Sequence, residues 1–285
     1  MAIDAKHLLA YKVEDVRQRY TAEDSAFYAL SVGMGRDPLD ERRLAFVDPS
    51  KGEAQRVLPS MALVLGYPGF WMVRPDTTID ATRILHGSQA IEWHRPLPPT
   101  GDVIGRTRVV RLVDRGEGRH GMVVSERKII DAATEETCAT LTQVHVLRGQ
   151  GGFDGDPHPL PTPQPMPQDE PRWRIDIPTM PDQALFYRLN GDLFALHSDP
   201  RMARTAGFPR PILHGMCVAG IVTQALMRVL AEDDPARLRS IETRFSAPIF
   251  PGDTIQVQAW EDGSFQARCL ERDEIVLSNG LLRVT

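Results

Sequence analysis

The chain has 285 residues, 42% apolar and 25% charged, and its 33 Lys and Arg against 38 Asp and Glu leave a net charge of −5. This usage excludes collagen-like, disordered and small disulfide-stapled proteins, and the length exceeds the roughly 100–200 residues of a common single domain. The acidic balance argues against general nucleic-acid binding, which needs Lys and Arg to neutralise phosphates.

Taken in chain order, the opening Met1-Ala-Ile-Asp-Ala-Lys-His7 mixes acid and base with no apolar run behind it, so no signal peptide is expected. The stretches 58–73 and 211–226 are nearly apolar, yet Gly, Pro, His or Gln interrupt them before the ~18–20 residues that a membrane span requires. Period-two alternation or β-rich runs predict strands over Val103–Val113, His120–Ile130 and Thr137–Leu147, after a shorter strand-like run at Gln89–Trp93. From Gly149 the chain turns Gly-rich and then Pro-rich, with six prolines between Pro157 and Pro167. That density supports neither a helix nor a central strand, and residues 149–178 read as a linker between units 1–148 and 179–285. Beyond it, Ile212–Ala231 is apolar on nearly all sides, as a buried helix is. Strands follow over Thr254–Trp260, Ser264–Leu270 and Ile275–Val284.

The two units resemble each other. Asp24-Ser-Ala-Phe-Tyr-Ala-Leu-Ser-Val-Gly33 answers Asp182-Gln-Ala-Leu-Phe-Tyr-Arg-Leu-Asn-Gly191, and the run 57–66 answers 212–220. Arg95-Pro-Leu-Pro-Pro-Thr-Gly-Asp102 answers Ala247-Pro-Ile-Phe-Pro-Gly-Asp253, each opening a strand. A buried helix against a long antiparallel sheet, occurring twice, is an α+β layer architecture.

Polar residues that can do chemistry gather in Tyr187-Arg-Leu-Asn-Gly-Asp192-Leu-Phe194-Ala-Leu-His197-Ser-Asp-Pro200, followed by Pro211-Ile-Leu-His214-Gly215-Met-Cys217. Asp192 and His197, five apart, cannot share a helix face, so a turn must aim both into one cleft. Asp199-Pro200 then starts a helix, with Asp as cap and Pro in first position. Cys217 and Met216 read as core. The three cysteines, odd in number and far apart, suit a reducing cytoplasm. No cluster has zinc-ligand spacing, and neither a Walker loop nor a dinucleotide fingerprint occurs.

These strings resemble the MaoC-like, R-specific enoyl-CoA hydratases. The likeness is carried by Gly191-Asp-x-x-x-Leu-His197-x-Asp-Pro and Gly207-Phe-x-x-Pro-Ile-Leu-His-Gly215. Tyr28-Ala-Leu-Ser-Val-Gly33, Leu85-His-Gly-x-Gln89, Pro96-Leu-Pro98 and Gly149-x-Gly-Gly-Phe153 extend it to the hydratase-2 form, over roughly residues 20–285. The resemblance implies a tandem double hotdog, each half a long antiparallel sheet wrapped around a buried central helix. It implies reversible hydration of trans-2-enoyl-CoA to (3R)-hydroxyacyl-CoA, with an acyl-CoA thioester as partner and no metal or redox cofactor. Asp192 and His197 would hold the attacking water, and the Gly215 N–H would bind the thioester oxygen.

Candidate substrate-binding residues are Phe194, His214, Arg201 and Arg210, the arginines for coenzyme A phosphates; 29 arginines against four lysines make such a cluster common here. The first half has Pro59-Ser60 where the second has His214-Gly215, so it is expected not to catalyse, and the resemblance implies that it shelters the acyl tail. Family precedent implies a homodimer. One departure stands out: the family's Asn-Pro is Phe194-Ala195 here, and Phe cannot hydrogen-bond a water. That leaves open a hydratase for bulky, branched, dicarboxylic or steroid side-chain substrates, or a non-catalytic acyl-CoA-binding subunit.

Overall fold

The computed structural model describes residues 3–285. Ten strands form one antiparallel sheet: β1 (Val16–Tyr20), β2 (Ile84–Trp93), β3 (Gly101–Asp114), β4 (Gly121–Asp131), β5 (Thr137–Leu147), β6 (Trp173–Pro178), β7 (Leu238–Phe245), β8 (Thr254–Ala259), β9 (Ser264–Cys269) and β10 (Glu274–Val284). Their order is β1-β3-β4-β5-β2-β7-β10-β9-β8-β6. Read inward from either edge, each half contributes its first, third, fourth, fifth and second strands, so the duplication seen in three short strings is a duplication of topology. The halves meet where β2 pairs with β7, Ile91 opposite Ile241. Along β3, Val103, Gly105, Thr107 and Val109 turn inward while Arg106, Arg108 and Val110 face water, the alternation expected of a sheet with one covered face.

Six helices accompany the sheet: α1 (Ala5–Leu9), α2 (Ala22–Ser31), α3 (Glu41–Leu44), α4 (Gln183–Tyr187), α5 (Pro200–Thr205) and α6 (Gly215–Ala231). α2 starts with a capping box in which the side chains and backbone amides of Thr21 and Asp24 bond reciprocally. α6 is the buried helix expected from the apolar run, although it begins at Gly215 rather than at Ile212. Residues on all its sides are buried because the sheet wraps one face and the first half covers the other.

The first half departs from the expected symmetry. Where the second has α6, it has only a five-residue 3-10 turn, Pro59–Leu63. Pro59 is tolerated in the first turn, but Gly66 at φ +55° and Pro68 end any continuation within a few residues. The double-hotdog reading stands, with one full central helix rather than two. The Pro-rich reading also needs correcting at its end. Residues 149–172 contain no helix or strand, whereas Trp173–Pro178, expected within the linker, is the edge strand β6 paired to β8. An edge is where a strand accommodates proline.

Among the described residues, no helix is long and apolar enough to cross a membrane. Cys138, Cys217 and Cys269 are unpaired and buried.

Candidate active site

The site begins where α4 runs into a 3-10 turn, Arg188–Asn190, that closes at Gly191 with φ +119°. Only glycine adopts that conformation without strain, and the reversal brings Asp192 back toward the helix it has just left. The Asp192 carboxylate accepts the Phe194 N–H at 3.2 Å, and a second turn, Ala195–His197, ends on the imidazole. Asp199 then caps α5 by accepting the Arg201 N–H at 2.8 Å, as its position before Pro200 led us to expect. The five-residue spacing that no helix could use is thus bridged by two tight turns. Asp192, His197 and His214 each present a side-chain oxygen or nitrogen within 4.8 Å of the others.

Hydrogen bonding sets the tautomer of His197. Its Nδ1 lies 2.9 Å from the Ile212 carbonyl oxygen, which can only accept, so Nδ1 carries the proton and Nε2 is left as the acceptor. Burial holds the His197 pKa below the ordinary value, against the upward pull of that carbonyl and of Asp192. The ring is therefore a neutral base at pH 7. His214 stacks on it with ring centroids 3.7 Å apart and planes 24° apart. Burial, and then His197 itself, push the His214 pKa down to about 2. Its Nε2 is 3.2 Å from the Asp192 carbonyl, and its Nδ1 has no partner. His214 is thus packed against the His197 ring and bonded to the Asp192 backbone.

Gly215 is the first residue of α6, where the N–H groups have no intrahelical acceptor and the helix dipole is positive. A Cβ at Gly215 would sit 3.2 Å from the Phe245 ring, so the position is tight as well as electropositive. From Phe245 a wall of rings continues through both halves. His86 lies 4.7 Å from Phe245, His145 4.6 Å from His86, Phe70 6.1 Å from His145, and Phe194 5.9 Å from Phe70 and 6.3 Å from His197. Phe194 therefore packs edge-on against a residue of the first half.

Arg201 is exposed on α5. Arg210 bonds the Pro251 carbonyl at 3.0 Å and pairs with Asp253 at 3.4 Å, which ties it to the turn before β8. Tyr67, Phe70 and Tyr187 were not singled out as site residues. Tyr187 opens the motif and is fully buried with an unpartnered hydroxyl, its ring 5.0 Å from His214. Phe70 stands more than a hundred positions from Phe194, a separation that leaves no local signal in one sequence.

The Asp192, His197 and His214 donors are the right types for a metal, but stacked imidazoles direct their lone pairs in nearly parallel planes. They do not converge on one ion at the ~2.0–2.1 Å of a zinc–nitrogen bond. The Asp253, Cys269 and Glu271 group is occupied otherwise: Arg272 bonds Asp253 at 2.6 Å, and the Thr254 N–H bonds Glu271 at 2.8 Å.

The double-hotdog fold is that of the MaoC-like hydro-lyases, as comparison with known proteins shows. Residues 18–149 match the model of the MFE-2 hydratase 2 N-terminal domain and residues 163–280 that of the MaoC-like domain. The chain is 39% identical to 3-hydroxyacyl-thioester dehydratase Y of Mycobacterium tuberculosis, over 98% of this chain and 94% of that one. It is 36% identical to the peroxisomal enoyl-CoA hydratase 2 of Arabidopsis thaliana, over 95% and 92%. A crystal structure of a MaoC-like dehydratase from Phytophthora capsici superposes with a TM-score of 0.86 at 31% identity, covering 99% of each chain. The chain belongs to the MaoC-like hydratase 2 family, and it is an enzyme of the hydro-lyase class.

Proposed function

We propose that the chain catalyses reversible, R-specific hydration of trans-2-enoyl-CoA to (3R)-hydroxyacyl-CoA. The observation that carries the reading is the meeting of the Asp192 carboxylate and the His197 ring beside the free N-terminus of α6. A water held between them donates one hydrogen bond to Asp192 and one to Nε2 of His197. Its oxygen bonds the β-carbon as the pair takes up its proton. The α-carbon is protonated from the same face, so the elements of one water are added and the pair returns to its starting charge. Negative charge developing on the thioester oxygen is met by the Gly215 N–H, a donor fixed in advance by the helix. No metal or redox cofactor is called for by this step.

Asp192→Asn and His197→Ala should each lower turnover by roughly 10²–10⁴-fold with the melting temperature nearly unchanged. Loss of the conjugated thioester absorbance measures the rate, and near-normal turnover in either variant overturns the assignment. Chiral analysis of the product tests the R configuration.

The packing of Phe194 on Phe70 favours a second reading, in which the site takes bulky, branched or steroid side-chain acyl groups. A panel of such thioesters beside linear ones separates the two. Exposed Arg201 is our candidate for a coenzyme A phosphate. The first half is assigned the acyl tail, the chain is assigned to the cytoplasm, and two chains are assigned to a homodimer. Cell fractionation and light scattering check the last two assignments.

A further inference from the structure

The repeat gives the catalytic turn a counterpart in the first half. α2 and α4 answer each other in sequence and end alike, on Gly33 at φ +85° and on Gly191 at φ +119°. Beyond Gly191 come Asp192 and His197, whereas Met34-Gly-Arg-Asp37, beyond Gly33, carries no such pair. The last turn of α2 keeps a buried serine instead. Ser31 is 2% exposed and stands among Tyr28, Ala29 and Val32, which are fully buried. A hydroxyl in such a place costs stability unless its hydrogen bonds are made, so the partners of Ser31 identify its role.

Those partners belong to the site. The Ser31 hydroxyl lies 2.7 Å from the Tyr28 carbonyl and 2.9 Å from Nδ2 of Asn190, and that same Nδ2 lies 2.8 Å from the Tyr187 carbonyl. A carbonyl only accepts, which fixes every direction: Asn190 donates its two amide hydrogens to Tyr187 and Ser31, and Ser31 donates its own to Tyr28. Asn190 ends the 3-10 turn, directly before Gly191 and two positions before Asp192. The Ser31 carbonyl is one of the last four of α2, which lack intrahelical donors. It accepts from Nε2 of Gln183 at 2.6 Å and from the Cys217 thiol at 3.7 Å. Gln183 opens α4, and Cys217 stands in the first turn of α6, two residues after Gly215. One residue of the first half thus bonds the helix leading into the catalytic turn, the turn itself and the helix that carries Gly215.

We infer that Ser31 is a positioning residue for the hydration step: its hydroxyl, through Asn190, fixes the turn that sets Asp192 beside His197. The inference rests on the hydratase reading and goes further in giving the half without a catalytic pair a part in the reaction. Gly191 makes such a hold necessary, because a glycine leaves the backbone free to swing Asp192 out of line. Packing does not supply it, since Leu189 and Leu193 on either side are 66% and 62% exposed. Among residues 188–193 only Asn190 has a hydrogen bond to the first half, and Arg188 reaches no farther than the Leu193 carbonyl of its own loop at 3.3 Å. The other hold is the bond from His214 to the Asp192 carbonyl at 3.2 Å, so the two bonds bracket Gly191 in the chain.

The experiment measures kcat and KM for a trans-2-enoyl-CoA with wild type, Ser31→Ala, Asn190→Ala and the double variant. Ser31→Ala keeps the backbone carbonyl, with its Gln183 and Cys217 contacts, and removes only the hydroxyl. It should lower kcat about three- to tenfold and leave KM within about twofold. Asn190→Ala should lower kcat at least as much, and adding Ser31→Ala to it should change kcat by less than about twofold, because both substitutions cut one link. Amide exchange reads the same link without turnover. The Phe194 N–H, held by the Asp192 carboxylate, should exchange about three- to tenfold faster in Ser31→Ala, with amides inside α6 unchanged. Wild-type kcat in Ser31→Ala, a loss confined to KM, additive losses in the double variant, or unchanged exchange at Phe194 each overturn the inference. If wild type hydrates nothing, or Asp192→Asn is as active as wild type, the hydratase reading falls instead, and exchange at Phe194 alone decides whether Ser31 holds the turn.

Discussion

A benzene ring occupies the place in the motif where relatives that carry the usual Gly-Asp-x-Asn-Pro-Leu-His pattern have an amide. Phe194 can offer no hydrogen bond to the water proposed between Asp192 and His197, and its ring meets Phe70 of the first half edge-on. Phe194→Asn should therefore raise turnover of short linear enoyl-CoAs. It should also lower stability by about 0.5–1.5 kcal/mol through loss of the ring pair. Initial rates and a melting curve check both parts, and a fall in rate would make the ring part of the catalytic site. The buried histidines add a pH dependence. Burial holds His86 at a pKa of about 4, His214 at about 2, and His145 and His197 below the ordinary 6.5. Below about pH 6.5 the unfolded chain takes up protons that the folded chain refuses, so stability is full above that pH and declines as the pH falls toward the folded values. For His86 alone the loss is roughly 3 kcal/mol by pH 4. The melting temperature should fall steadily between pH 7 and pH 4.5, and a flat profile there rejects the neutral-histidine description. At this scale Asp192, His197 and Gly215 were legible because a short motif carries them. Phe70 was not, since only the folding of the first half against the second brings it to Phe194.

Among the elements, the strands were the most legible, because one covered face imposes a period of two that survives in the sequence; Thr137–Leu147 was bounded to the residue. β7 escaped notice because five of the eight residues of Leu238-Arg-Ser-Ile-Glu-Thr-Arg-Phe245 are charged or polar and the strand follows directly on a helix and turn. The short turn that replaces a central helix in the first half was missed for a different reason. Apolar composition marks a segment as buried without specifying its length or pitch, and Gly66 and Pro68 set both. The contact of α6 with α2 shows how closely these elements fit. A Cβ at Gly220 would lie 2.8 Å from the Tyr28 hydroxyl and 2.8 Å from Val32, and that hydroxyl is already held by the Ser60 carbonyl at 2.8 Å. Gly220→Val should cost about 1–3 kcal/mol by overpacking, because neither neighbour is the free end of a flexible chain. Urea unfolding measures the loss, and a variant as stable as wild type would show that α2 can withdraw from α6.

For the molecule as a whole, duplication has produced two halves of one sheet that cannot be separated cleanly. Strand β2 continues into β7, and a single apolar cluster takes in Ile91 and Leu141 of the first half together with Leu226 and Phe265 of the second. The covalent bridge, by contrast, is held on either side of residues 159–162. Asp156 makes a bridge with Val113, the Gln164 carbonyl accepts from Asn279, and the Asp169 carbonyl accepts from Trp260. Between Asp156 and Gln164 no helix or strand depends on an intact chain. Cleavage at an engineered protease site replacing residues 159–162 should therefore leave the halves associated, eluting as one species with hydratase activity close to that of the uncut enzyme. Expression of 173–285 alone should fail, since the β2-facing edge of β7 and the apolar side of α6 would both meet water. Size-exclusion chromatography of the cleaved protein and circular dichroism of the isolated half give the two readouts. Dissociation on cleavage, or a stably folded second half, would mean that the sheet seam and shared core contribute less than the covalent link.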